Sequence, residues 1–137
     1  EFGSTYDYPY LSICTTGTHD MNPLRAWWEE DRGVTQRFYN HILGAWGEAP
    51  YFCEPWICEQ VVSMHLKSPA MLTVLPLQDW IAMDGNLRRE NPNDERINVP
   101  ANSRHYWRYR MHLTLEELLK SDDLNNMIRH KIAESGR

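Results

Sequence analysis

The sequence predicts an α/β chain in which helix outweighs strand, on three observations. Two short apolar and β-branched runs, Leu11–Thr16 and Ala70–Leu75, each pass through a polar tip into a segment opened by proline. The stretch after the first of these tips keeps apolar residues at helical spacing, among them Leu24, Trp27, Trp28, Val34 and Phe38. The tail repeats that spacing with Leu115, Leu118, Leu119, Leu124, Met127 and Ile128.

Each element follows from local chemistry. Leu11–Thr16, punctuated by Gly17, predicts a buried strand ending in a turn, which sets His19 and Asp20 just past the strand's C-terminal end. Asn22 offers an N-cap and Pro23 tolerates the missing N–H of a first helical residue, so one helix is expected from Pro23 to Leu43, stopping near Gly44. Gly44 to Phe52 reads as a loop. Glu54-Pro55 opens a second helix reaching Lys67, and Ser68-Pro69 ends it. Ala70–Leu75 is apolar nearly throughout without alternation, the pattern of a parallel strand buried on both faces. Pro76 then starts a helix kept short by the turn signal Asp84-Gly85-Asn86. Arg88–Arg104 is a long polar loop containing Pro92 and Pro100, of the kind a compact domain keeps for function. Thr114-x-x-Glu117 and, with Asp in the acidic role, Ser121-x-x-Leu124 read as two capping boxes; from Lys131 the polar terminus is expected to fray. The order β-α-α-β-α, a long loop and α-α amounts to about a quarter of an α/β barrel or to an α-rich fragment. Two strands cannot close a sheet, so the chain standing alone is expected to be helix-rich, or to self-associate over its apolar strands.

Composition narrows the function. An apolar share of 42% with 24% charged residues is that of one globular domain. With 19 acidic against 14 basic residues the net charge is −5, which excludes the electrostatic footprint of a nucleic-acid binder. The longest apolar run, Ala70–Leu75, falls far short of the roughly 18 to 20 residues of a membrane span, and no signal-peptide pattern opens the chain, so a cytoplasmic location is expected. Cys14, Cys53 and Cys58 show no CxxC spacing, and the step from Cys53 to Cys58 does not put two thiols on one helical face; reduced structural cysteines without a metal site or cofactor are expected. Glu1-Phe2-Gly3-Ser4 reads as a cloning remnant, which makes residues 5–137 a segment of something longer.

The chemistry is concentrated at strand ends. In a barrel of parallel strands the active site lies at the C-terminal strand ends, so His19 and Asp20 face bound substrate: a carboxylate there stabilises positive charge developing on a sugar ring, and an imidazole donates to hydroxyls. Alternatively, Asp20 merely neighbours a helix N-terminus, where an acid is favourable. Gln78 and Asp79 fall at the second strand's end and carry the same two readings. Glu29 and Glu30 lie inside the predicted helix and read as a solvated face. In "HYWRYR", His105 to Arg110, Trp107 and Tyr109 alternate with arginines, which fits aromatic–arginine packing or stacking on sugar.

The blocks "TTGTHD", "LRAWWEED", "MLTVLPLQDWIAM" and "ERINVPANSRHYWRYRMHL", in that order, resemble the C-terminal part of a 4-α-glucanotransferase of glycoside hydrolase family 77, the amylomaltases or disproportionating enzymes. The likeness is closest to the branch of the plant cytosolic disproportionating enzyme and its bacterial relatives, and it spans nearly the whole chain after Ser4. It implies a (β/α)8 TIM barrel, here represented by its last two strands with their helices. The activity it implies is transfer of α-1,4-glucan segments between acceptors by a retaining double displacement. Asp20 matches the family's third carboxylate, which stabilises the transition state, and His19 its hydroxyl-binding histidine. Arg96, Asn98 and Pro100 match a loop bordering the donor sugar subsites, and Trp107 and Arg110 keep the pattern that follows. His105-Tyr106 stands where many bacterial members have Gly-Asn, so Tyr106 takes that place at the substrate. The family's nucleophile and acid/base lie on earlier strands, outside this chain. The implied partners are therefore a glucan or maltodextrin and the remainder of the barrel, and the isolated fragment is expected to be inert. A non-catalytic helical module that binds a protein or glycan is the competing expectation.

Overall fold

The computed structural model describes residues 2–137; Glu1, the first of the four residues read as a cloning remnant, lies outside the described residues. Two strands, β1 (Ile13–Cys14) and β2 (Leu72–Thr73), pair in parallel in the register Ile13 with Leu72 and Cys14 with Thr73. Six α-helices accompany them among the described residues: α1 (Leu24–Glu30), α2 (Arg32–His41), α3 (Pro55–Leu66), α4 (Leu77–Ile81), α5 (Leu115–Lys120) and α6 (Asp122–Ser135). The helix-rich α/β expectation holds, as does the parallel pairing.

The strands are shorter and barer than expected. Backbone bonds from Met71 N–H to Tyr10 and from Val74 N–H to Cys14 extend the ladder beyond the two paired residues. Cys14 turns inward and is buried, whereas Leu11 is 80% exposed, Ile13 63% and Val74 57%. The expectation of strands buried on both faces fails for the chain by itself, because a two-stranded ladder has no neighbour to cover its outer face and its edges.

The helix expected over Pro23–Leu43 is two helices. At Asp31 the backbone is extended (φ −135°), and its carboxylate accepts the N–H groups of Gly33 and Val34, so it caps α2 and breaks α1 in one step. The Thr35 hydroxyl donates to the Trp28 carbonyl at 2.6 Å, satisfying an acceptor that the break leaves free. Asn22 is not the cap of α1: its amide donates to Glu30 at 2.7 Å, and Asp79, from a distant segment, accepts the Leu24 N–H instead. The loop of residues 44–52 is pinned from α2, with Arg32 donating to the carbonyls of Ala49 and Pro50 and Gln36 donating to Gly47.

The core lies where α1, α3, α4 and α6 meet, around the fully buried Trp28, Ile57, Val62, Ile81 and Leu124. Pro55 opens α3 and Lys67 closes it, as the sequence predicts. Cys53 departs from expectation: it precedes the helix and folds back over its first turn, which places its Sγ 3.5 Å from that of Cys58. The helical-face argument does not apply to a residue outside the helix. Contact with the Cys58 thiol, together with burial, pushes the Cys53 thiol well above its ordinary range, so Cys53 behaves as a buried apolar group.

The tail is also better held than its polarity suggests. The Thr114–Glu117 capping box forms with both reciprocal bonds, while Ser121 makes no side-chain cap. Helix α6 runs on through Lys131, whose ammonium meets Glu59 at 2.6 Å. Arg137 then donates to the carbonyls of Leu66, Ser68 and Ala70 at 2.6–2.7 Å, closing the end of α3. The fraying expected from Lys131 is thus replaced by a tertiary clasp, for which charge-assisted bonds to otherwise free carbonyls are the physical reason. Arg137→Ala is expected to lower stability by about 1 kcal/mol, read as a fall in the urea midpoint without a change in m.

Candidate functional site

The turn of residues 17–23 leaves the end of β1 and delivers the chain to α1. It holds His19 and Asp20 at the protein surface, each with 51% of its side chain exposed, and His19 Nε2 lies 3.4 Å from Asp20 Oδ1. The distant loop after the short 3-10 turn Pro92–Glu95 comes back to meet them. Asn98 Nδ2 donates to Asp20 Oδ1 at 2.6 Å, and the Asn98 N–H donates to the His19 carbonyl at 3.1 Å. The Trp107 ring lies against His19, with centroids 5.0 Å apart and planes tilted by 51°. Four of the residues nominated from sequence, His19, Asp20, Asn98 and Trp107, therefore form one surface cluster although up to 88 positions separate them.

Behind the cluster opens a cleft of about 320 Å³ lined by His19, Met21, Leu75, Gln78, Glu95 and Ile97 among others. Gln78 and Asp79 are also among its lining residues and are buried. Gln78 donates through Nε2 to the Glu95 carbonyl at 3.2 Å. Asp79 accepts the Thr16 hydroxyl on one oxygen and the Leu24 N–H, at 3.3 Å, on the other. Burial pushes the Asp79 carboxyl above the ordinary carboxylate range, against the opposing pull of Thr16, Leu24 and His65. Arg96 and Tyr106 do not join the cluster. They line a separate groove with Asn93, Asp94 and His105, where the Arg108 guanidinium lies 5.0 Å from the centre of the Tyr106 ring.

Two residues that sequence reasoning passed over hold the loop. Arg25, on α1, is buried with Glu95, its Nη1 lying 3.3 Å from Glu95 Oε1 while the guanidinium also donates to the carbonyls of Arg89 and Glu90. Burial raises the Glu95 carboxyl and Arg25 counters it. The signal available in the sequence was a charged pair inside otherwise mixed segments, which carries no mark of burial.

Comparisons with known proteins follow the same outline. The family model for 4-alpha-glucanotransferase matches residues 1–115. The rice (Oryza sativa subsp. japonica) 4-alpha-glucanotransferase DPE2 is 39% identical over 137 residues, which is 100% of this chain and 14% of that protein. The Chlamydia muridarum 4-alpha-glucanotransferase is 28% identical over 126 residues, covering 88% of this chain and 23% of its own length. Among solved structures, the amylomaltase from Streptococcus agalactiae in complex with acarbose superposes with a TM-score of 0.69 at 19% identity, covering 98% of this chain and 26% of that one. The chain thus spans well under a third of each of these relatives. Among the described residues, no helix is long and apolar enough to cross a membrane.

Proposed function

The chain belongs to the 4-alpha-glucanotransferase family, glycoside hydrolase family 77, and on that premise we propose that it is the part of a barrel enzyme that supplies one catalytic carboxylate for moving α-1,4-glucan segments between acceptors. The observation that carries this reading is the hydrogen bond from Asn98 Nδ2 to Asp20 Oδ1 at 2.6 Å, which joins two blocks that the family resemblance had nominated separately.

Asp20 is the catalytic residue of the set. Its half-exposed carboxylate is oriented by Asn98 and sits beside His19, an arrangement that favours positive charge developing at the anomeric carbon in an oxocarbenium-like transition state. His19 offers an imidazole to sugar hydroxyls, and Trp107 supplies an apolar face next to it. Gln78 lines the adjoining cleft, and Arg96 and Tyr106 extend the sugar-facing surface into the neighbouring groove. A retaining displacement needs two carboxyl groups about 5 to 5.5 Å apart across the bond being broken. The other strand-end carboxylate of this chain, Asp79, is buried with both oxygens engaged by protein donors, so the nucleophile and the acid/base come from the rest of the barrel. The exposed outer faces of β1 and β2 are the surface that the remaining strands, or a second copy of the fragment, would cover. Three free buried thiols fit a reducing compartment, and we assign the parent protein to the cytoplasm.

Incubation with maltotriose tests this. The full-length protein carrying this segment is expected to yield glucose together with longer maltodextrins, and the 137-residue chain alone is expected to yield neither. Failure of the full-length protein to transfer would overturn the assignment. Transfer by the chain alone, abolished by Asp20→Asn, would overturn its inertness.

A further inference from the structure

We infer that Asp79 is the positioning residue of the turn that carries His19 and Asp20, its carboxylate tying the two ends of that turn together and so setting where Asp20 points. The inference rests on the proposed role of Asp20 and deepens it.

The geometry is that of a staple. Thr16 is the last residue before the turn and Leu24 the first residue of the helix after it. Asp79 takes the Thr16 hydroxyl on Oδ2 and the Leu24 N–H on Oδ1, so one carboxylate closes a seven-residue turn, Gly17 to Pro23, at its base. Within the turn, the backbone is held by Met21 N–H to the Thr18 carbonyl at 3.1 Å and by Asn98 N–H to the His19 carbonyl at 3.1 Å. The start of α1 has no side-chain cap of its own, since Pro23 has no polar side chain and Asn22 is directed to Glu30. A local Asn cap at position 22 would have closed the helix without involving another strand. The fold instead uses a carboxylate that is only 2% exposed, at the head of α4, 55 residues further along the chain than the N–H it caps. Burying that group is unfavourable unless both oxygens are satisfied, and they are. The consequence is mechanical: the turn that follows β1 is referenced to the first turn of α4, the helix that follows β2. Burial leaves the Asp79 carboxylate little accessible to a sugar hydroxyl.

Three variants separate positioning from a direct role. Asp79→Ala removes both ties. Asp79→Asn keeps the shape, with an oxygen to accept the Leu24 N–H and an amide to donate to the Thr16 hydroxyl, while the charge is lost. Thr16→Val removes one tie alone. In amide hydrogen exchange on this chain, Asp79→Ala is expected to speed exchange at Met21, Leu24 and Asn98 by about tenfold or more, with Val62 in the core of α3 unaffected. In the full-length enzyme it is expected to lower kcat about 10²-fold with KM nearly unchanged, the cost of a catalytic group misplaced by about 1 Å, and Asp79→Asn is expected to recover most of that loss. Equal loss of kcat in the Asn and Ala variants would overturn the inference, because it would mean that the charge acts on the reaction itself. Unchanged exchange in the turn would overturn it as well. Should the Ala variant fail to fold, Thr16→Val decides by the same two readouts, with faster exchange at Met21 and Asn98 expected and unchanged exchange overturning the staple. If Asp20→Asn proves fully active while the exchange results hold, the reading of Asp20 fails and the staple stands.

Discussion

Asp20→Asn in the full-length enzyme is expected to lower kcat about 10³-fold and to leave the thermal midpoint where it is. The substitution is isosteric, and its amide oxygen still accepts from Asn98 Nδ2, so the contact that joins the turn to the returning loop survives. On the proposed role of Asp20, what disappears is a negative charge facing the sugar, and with it part of the preference for the transition state over the ground state. Stability is spared because the side chain is half exposed, and surface changes of this kind seldom move folding by more than about 0.5 kcal/mol. Steady-state disproportionation of maltotriose alongside a thermal melt makes the check. Near-normal turnover would remove Asp20 from the catalytic set, and a large drop in the midpoint would show that its role is structural.

Arg25→Met is expected to destabilise the chain strongly. It fills similar space but leaves the Glu95 carboxylate buried without its cation, and breaking such a pair costs about 3–5 kcal/mol, a large share of an ordinary domain's stability. The sign of the pH dependence follows from Glu95. Burial holds its folded-state carboxyl above the ordinary range even with Arg25 present, and without Arg25 it rises further. A group raised on folding contributes stability that is fully present below its unfolded-state value, about 4.3, and lost as the pH rises through the folded-state value. The deficit of Arg25→Met is therefore expected to be large at pH 7 and to shrink toward pH 4, where Glu95 is buried neutral. Urea unfolding at both pH values measures this, and adding Glu95→Gln to Arg25→Met should restore part of the loss at pH 7. A deficit of the same size at both pH values would mean that packing of the Arg25 stem, and not the unpaired carboxylate, is what was lost.

Much of the local structure was legible because its causes are local. Pro55 and Ser68-Pro69 bound α3 through the missing N–H and the restriction on the residue before proline, and Thr114 with Glu117 close a capping box within four residues. The site was half legible. His19, Asp20, Asn98 and Trp107 were nominated and do meet, whereas Arg96 and Tyr106 line a different groove. The misreadings share one origin. Asn22 has the chemistry of a cap and Pro23 that of a first helical residue, so the sequence offers a local solution, and the fold uses Asp79 instead. The single helix expected over Pro23–Leu43 misses the break at Asp31 because that break is written in a backbone torsion and in the Thr35 hydroxyl that answers it, neither of which the spacing of apolar residues records.

The sequence by itself determined the α/β class, the parallel sense of the two strands, most helix starts and stops, and the family to which the chain belongs. Tertiary structure decided the rest: that Asp79 closes the turn, that Arg25 and Glu95 hold the loop, that Arg137 clasps the end of α3, and that the strands keep one face bare. The physical reason is range. Caps, prolines and periodicity act within a turn or two and leave their mark in order along the chain, whereas a partner 55 to 78 positions away is chosen by which burial leaves the fewest polar groups unsatisfied, a property of the packed whole.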